Sequence, residues 1–395
     1  MEFTHPLALD TWGAEERAAV MGVLDGERVT MWNRTKEFEA AFAGYLGVEH
    51  AVMVNSGSSA NLIAVAALEQ AEQARGRTLS GRVAVVPAVA WSTTYAPLHQ
   101  HGMRLRVVDI DLDTLCINAA QTMAAASEDT AVIVAANILG NPCDLAMLRA
   151  FCDARGIYLL EDNCESLGAS LGGKPCGSWG HIGTHSFFHS HQVSTGEGGM
   201  IATDNNELAD LAVCLRAHGW ARDLPTASPL RGPAQDEFAE AYRFLMPGYN
   251  VRPTDIAAAV GMVQLRKLDA AIAQRRRNAV VFQALFKGDG RFVIQSERST
   301  ARSSWFGFTM IAADGRRHRY FDAMCAAGIE FRQITGGNFL QHPARVHYSY
   351  EAFKKDRQIC PNARLAHDNG FFVGNHPTDL APQLERLHKV LKEAA

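Results

Sequence analysis

AVIVAANILGNPCDLAMLRAFCDARGIYLLED, residues 131–162, begins and ends in a short apolar run, AVIVAAN (131–137) and GIYLLED (156–162), with a longer segment of helical period between. Runs so continuous in hydrophobicity suit strands buried on both faces, and two of them joined by a helix form the repeating unit of a parallel sheet. The alternation extends outward in both directions. AVMV (51–54), RVAVVP (82–87) and LRVVDID (105–111) precede the stretch, and THSFF (184–188) and GMIATD (199–204) come after it. The pattern predicts an α/β fold, a mainly parallel sheet flanked by helices. Ligands of such sheets sit at the carboxyl ends of the strands. The polar clusters NSGSSAN, WSTTY, DNCES and HSHQVSTGEGG fall at those ends.

From about Pro253 the texture changes. DIAAAVGMVQLRKLDAAIAQRRRNAVVFQALF predicts a connecting helix, and the chain from SSWFGFTMIA to the C-terminus predicts a smaller α+β domain, so the expected division is 1–250 and 251–395. Two domains also suit 395 residues, more than one core usually serves. Residues 223–240, with three prolines and little periodicity, predict a loop near the site.

Net charge is -4, with Lys+Arg 38 against Asp+Glu 42. The charges are scattered rather than run together, which argues against nucleic acid or a membrane surface as partner. The N-terminus has no basic segment followed by an apolar one, and no apolar run is long enough to span a bilayer. A cytoplasmic protein is expected. The eight cysteines are dispersed, with neither a CxxC pair nor a close triplet, so they are expected to be reduced thiols rather than metal ligands.

Three stretches carry chemistry, with Trp91 beside the second. Asn55 to Asn61, NSGSSAN, joins a strand to a helix whose free N–H groups, with the Ser58 and Ser59 hydroxyls, suit a phosphate, although such turns are also ordinary caps. Asp162 closes an apolar strand, a costly place for a carboxylate unless a cation meets it. A protonated pyridine nitrogen is one such partner; capping of the next helix is the plainer role. Trp91 offers either a flat face to a heteroaromatic ring or a structural indole. In the third place, Ser186 to Gly199, a strand ends in polar residues before a Gly-rich turn, so Ser186 and His191 can face one pocket. On its own, His191 reads more readily as a structural histidine.

The ordered motifs SGSSAN, PAVAWSTTY, EDNCESLGA, SFFHSHQVSTGEGG, RAHGWARDLP and PGYNVRP resemble the DegT/DnrJ/EryC1/StrS family of fold-type I nucleotide-sugar aminotransferases. The likeness runs from PLALDTW to FVGNH. It implies pyridoxal 5'-phosphate (PLP), alternating with pyridoxamine 5'-phosphate, and a homodimer with shared active sites. By motif, the phosphate would lie on Gly57, Ser58 and Ser186, with Asn250 reaching in from the second subunit. Trp91 would stack on the ring and Asp162 would meet its nitrogen. Glu165 and His218 would be further pocket residues, and Arg252 or Arg332 would hold the glutamate carboxylate, with surface or ion-pair roles equally open for either arginine.

The chain departs from the transaminating members at the Schiff-base lysine. Only eight lysines are present and none lies between Lys174 and Lys267, whereas His191 stands at the expected position. Histidine there resembles the colitose-pathway 3-dehydratase branch of the family. The closely spaced cysteine ligands of a related iron–sulfur dehydratase type are missing. An imidazole cannot form the stable imine but moves protons near neutral pH. The resemblance therefore implies C3 deoxygenation of a nucleotide-linked 4-keto-6-deoxyhexose, with GDP-4-keto-6-deoxymannose as the expected substrate and L-glutamate as co-substrate. The products would be a 4-keto-3,6-dideoxy sugar, 2-oxoglutarate and ammonia. A nucleotide-sugar aminotransferase that uses histidine, and a non-catalytic PLP-binding relative, are the alternatives.

Overall fold

All seven residues of Thr130–Ala136 are buried, as a β-branched run covered on both faces requires. The protein is described by a computed structural model covering residues 3–26, 28–233, 236–352 and 360–394. Its main strands are β1 (His50–Val54), β2 (Val83–Pro87), β3 (Arg104–Val108), β4 (Thr130–Ala136), β5 (Tyr158–Asp162), β6 (Ile182–Ser186) and β7 (Gly199–Thr203). Each predicted run is therefore a strand. An eighth strand was not foreseen: β11 (Tyr350–Ala352), from the C-terminal part of the chain, adds to the far edge.

The sheet order is β1-β7-β6-β5-β4-β2-β3-β11. Only β7 runs against its neighbours, β1 and β6. The other pairings are parallel, so the carboxyl ends of β2, β4, β5 and β6 open on one side of the sheet. Helices α1 (Ala14–Gly26), α2 (Asn33–Leu46), α3 (Gly57–Ala74), α4 (Ser92–Gln100), α5 (Leu145–Arg155) and α6 (Asn206–Leu215) come with these strands. Helix α5 ends at Gly156, whose left-handed φ of 63° closes the helix before β5 begins.

The predicted connecting helix is α7, Asp255–Phe286, capped by Thr254, whose hydroxyl accepts the Ala257 N–H. Its first half packs Ala257, Ala258, Leu268 and Ile272 into one core with Phe38 and Phe42 of α2. Its last turns put Phe282 and Phe286 into a second core with Trp305 and Phe308. Each such aromatic contributes about 1.5–3 kcal/mol by leaving water. The second core lies against a four-stranded antiparallel sheet of β8 (Phe292–Ile294), β9 (Gly307–Ala312), β10 (Phe331–Arg332) and β12 (Gly370–Gly374), ordered β8-β9-β12-β10. Between residues 223 and 240 the described chain is mostly irregular, with a 3-10 turn at Pro229–Arg231 and one helical turn at Glu237–Glu240; residues 234 and 235 lie outside the described residues. No helix among the described residues is long and apolar enough to cross a membrane.

Candidate active site

Side chains alternate along a strand, and β5 ends in two carboxylates that consequently face opposite ways. Glu161 is fully buried and accepts the N–H groups of Gly177, Trp179 and Gly180 and the Asn137 amide, at 2.6–3.0 Å. It anchors a turn. Asp162, 6% exposed, faces a cavity of roughly 350 Å³ at the carboxyl end of the sheet. Its Oδ2 accepts Asn61 Nδ2 of α3 at 3.0 Å and the Thr94 hydroxyl of α4 at 2.7 Å, and its Oδ1 accepts the Cys164 N–H at 3.2 Å. Those donors are neutral. Among the described residues no Lys, Arg or His pairs with Asp162, so a buried carboxylate faces the cavity without a cationic partner among them.

The start of α3 borders the same cavity. Ser56 caps it by accepting the Ser59 N–H at 3.1 Å, while the backbone around Gly57 and Ser58 faces the space beside Ser186. Gly57 is tightly enclosed: a Cβ there would lie 2.5 Å from Ser186 Cβ and 3.0 Å from Cys164 Sγ, so these neighbours would have to shift. Helix start and strand end thus close into a cradle with the positive end of the helix dipole and two hydroxyls. Trp91, 55% exposed at the start of α4, supplies an open indole wall.

His191 follows β6 on a turn. Its Nδ1 lies 2.7 Å from the Cys164 carbonyl oxygen, and its ring meets the edge of Phe306 with centroids 5.2 Å apart. A carbonyl only accepts, so Nδ1 carries the ring proton and Nε2 holds the lone pair. Among the described residues Nε2 has no hydrogen-bond partner. Burial lowers the pKa of His191 to about 4, opposed by the Cys164 bond and assisted by the Arg275 charge. At neutral pH the imidazole is neutral and able to accept a proton. Glu165, also on the cavity, moves the other way: burial raises it to about 7 against the bonds from Leu139 N–H and the Thr335 hydroxyl.

Gly57, Ser58, Trp91, Asp162, Glu165, Ser186, His191 and Arg332 all line this cavity, whereas Asn250, His218 and Arg252 do not. Those three share another surface. Arg252 Nε donates to Asn250 Oδ1 at 3.1 Å, Ala217 pairs with Asn250, and exposed His218 has a left-handed φ of 66° with its N–H on Tyr249 O. The sequence reading missed Asn61 and Thr94, which hold Asp162, and Thr335, which holds Glu165. Asn61 carried a signal, since it lies one helical turn beyond Gly57 on the same face. Among the described residues no lysine lines the cavity and no metal-binding cluster occurs, and the eight cysteines are free thiols.

The residues fit PLP on their own chemistry. Asp162 lacks the cation that a protonated pyridine nitrogen would provide, and the Gly57 cradle has room and donors for a phosphate. Gly57→Ala is therefore expected to weaken PLP retention roughly tenfold or more while the chain stays folded, read by absorbance after dialysis. Retention equal to that of the unmodified protein would place the phosphate elsewhere.

A model of the DegT/DnrJ/EryC1/StrS aminotransferase family matches residues 10–387. The chain is 41% identical over 392 residues to GDP-4-keto-6-deoxy-D-mannose 3-dehydratase of Yersinia pseudotuberculosis, covering 98% of both. It is similar to a crystal structure of GDP-4-keto-6-deoxymannose-3-dehydratase with a trapped PLP-glutamate geminal diamine: TM-score 0.94, 40% identity, 98% of this chain and 100% of that one. A histidine-to-asparagine mutant of that kind of enzyme, with bound GDP-perosamine, matches with TM-score 0.93 and 40% identity over 98% of this chain and 100% of its own.

Proposed function

Because the chain belongs to the DegT/DnrJ/EryC1/StrS aminotransferase family, we propose that it removes the C3 hydroxyl of GDP-4-keto-6-deoxymannose with PLP and L-glutamate. The products are a 4-keto-3,6-dideoxy sugar, 2-oxoglutarate and ammonia. When bound, the cofactor would supply an amino group derived from glutamate and an electron sink for the carbon next to C3. The observation that carries this reading is a cavity fitted to that cofactor in which a histidine replaces the lysine.

The chain's own residues divide the work. Asp162 holds the ring nitrogen in its charged form, and Gly57, Ser58 and Ser186 hold the phosphate. Trp91 flanks the ring. His191 Nε2 accepts and returns the proton, its orientation fixed from behind by the Cys164 carbonyl. Among the described residues no lysine lines the cavity, so none of them would anchor the cofactor covalently, which supports release of the nitrogen as ammonia rather than its retention on the sugar. Arg332 lies at the mouth, where it suits a carboxylate or a diphosphate. The surface bearing His218, Asn250 and Arg252 continues into exposed Phe238, Tyr242 and Phe244. An apolar face of this kind suits a second copy of the chain, which would bring these residues to its partner's cavity. A monomer in sedimentation equilibrium would remove that part of the reading.

The test is incubation of PLP-loaded protein with L-glutamate and GDP-4-keto-6-deoxymannose. Stoichiometric 2-oxoglutarate and ammonia, with a new C3 methylene in the proton NMR spectrum, are expected. An amino sugar without free ammonia would make the protein a transaminase, and no spectral change on adding glutamate would make it a binder only.

A further inference from the structure

Two non-glycine residues near the cavity sit in the left-handed backbone region, and one carboxylate oxygen holds both. Leu139 (φ 49°, ψ 34°) lies just after β4; Thr335 (φ 35°, ψ 51°) lies just after β10 and lines the cavity. Glu165 Oε2 accepts the Leu139 N–H at 2.9 Å and the Thr335 hydroxyl at 3.0 Å. A β-branched residue in this region is a steric outlier, and such strain persists only where the surroundings impose it. Thr335 precedes Gly336 and Gly337, which take left-handed φ of 75° and 78° without penalty. A third glycine would suit the backbone better than threonine does. What threonine adds is the hydroxyl.

That hydroxyl ties together parts of the chain 170 residues apart. On one side, the turn at Ile334–Gly336 comes directly after Arg332 and Gln333, which line the cavity mouth, and Gly336 packs beside Trp91. On the other, the Glu165 carbonyl accepts Gln192 Nε2 at 2.7 Å, next to the Cys164 carbonyl that orients His191. We infer that Thr335 is a positioning residue, which through Glu165 fixes the 332–337 wall against the His191 side of the cavity so that Arg332 and Gln333 meet the nucleotide-sugar substrate. This rests on the substrate class proposed above. Of the Glu165 carboxylate, Oε2 takes both bonds.

The test uses the PLP-loaded protein and GDP-perosamine, whose binding needs no turnover, measured by calorimetry beside the thermal midpoint. Thr335→Val keeps the branched shape and loses the hydroxyl, and should weaken binding roughly tenfold or more. Thr335→Ser should restore it to within about twofold. Thr335→Gly relieves the strain, so its midpoint should equal or exceed that of the unmodified protein while binding falls as in Thr335→Val. In a Glu165→Ala background, Thr335→Val should add nothing, because the two act as one unit. Unaltered binding by Thr335→Gly, or additive losses in the double variant, would overturn the inference. If the unmodified protein bound GDP-perosamine with this pattern yet released no ammonia, the reaction proposed above would fall and the positioning role would stand. No binding by the unmodified protein would overturn both.

Discussion

His191→Asn leaves PLP bound and lowers turnover by roughly 10²- to 10⁴-fold, the usual contribution of a positioned base. The asparagine amide can still donate to the Cys164 carbonyl, so the turn keeps its shape, but nothing at the Nε2 position accepts a proton. Absorbance after dialysis reads the retained cofactor; ammonia release reads the loss. Burial is what makes this histidine a base over a broad range. Desolvation disfavours the imidazolium and brings the pKa from 6.5 to about 4, so the base is lost only as pH falls towards 4. His191→Lys makes the complementary point: after borohydride reduction and denaturation the cofactor should stay on the chain, and dehydration should be absent. Full activity in His191→Asn would mean that another group moves the proton.

Asp162→Asn should cost roughly 10²- to 10³-fold in turnover, the scale of leaving one member of a buried charge pair alone. The amide oxygen can still accept from Asn61 and Thr94, so the fold is expected to survive and the effect to be electronic. Without the carboxylate the pyridine nitrogen titrates near neutrality and the electron sink weakens. A pH titration of the bound cofactor's absorbance follows the nitrogen directly. Activity within about threefold of the unmodified protein would show that Asp162 serves the neighbouring helices and not the ring.

Both residues draw attention in the sequence, on different grounds. Asp162 stood out because a carboxylate at the end of an apolar run is costly, and β5 shows it buried with neutral donors only. His191 on its own reads as a structural histidine; the family resemblance, with no lysine between Lys174 and Lys267, is what marks it. The parallel strands were legible because burial on both faces leaves continuous β-branched runs, and α7 because 32 residues of largely helical period run without a proline. The missed features depend on contacts far apart in the chain. Nothing local marks Thr335 as a partner of Glu165, and Tyr350–Ala352 is too short to announce that it pairs with β3. Glu161 and Asp162 are neighbours in sequence and strangers in space, so only strand phase separates their roles. His218, Asn250 and Arg252 belong to motifs, and a motif does not say which cavity its side chains reach.

The two adjoining carboxylates also limit how the gene can change. Loops around the cavity can gain or lose residues and merely reshape its mouth. A single codon inserted or deleted within Tyr158–Asp162 would exchange the two faces of the strand, sending the turn's anchor into the cavity and the cavity's carboxylate beneath the sheet. Drift among relatives should therefore show indels on either side of β5 and none inside it.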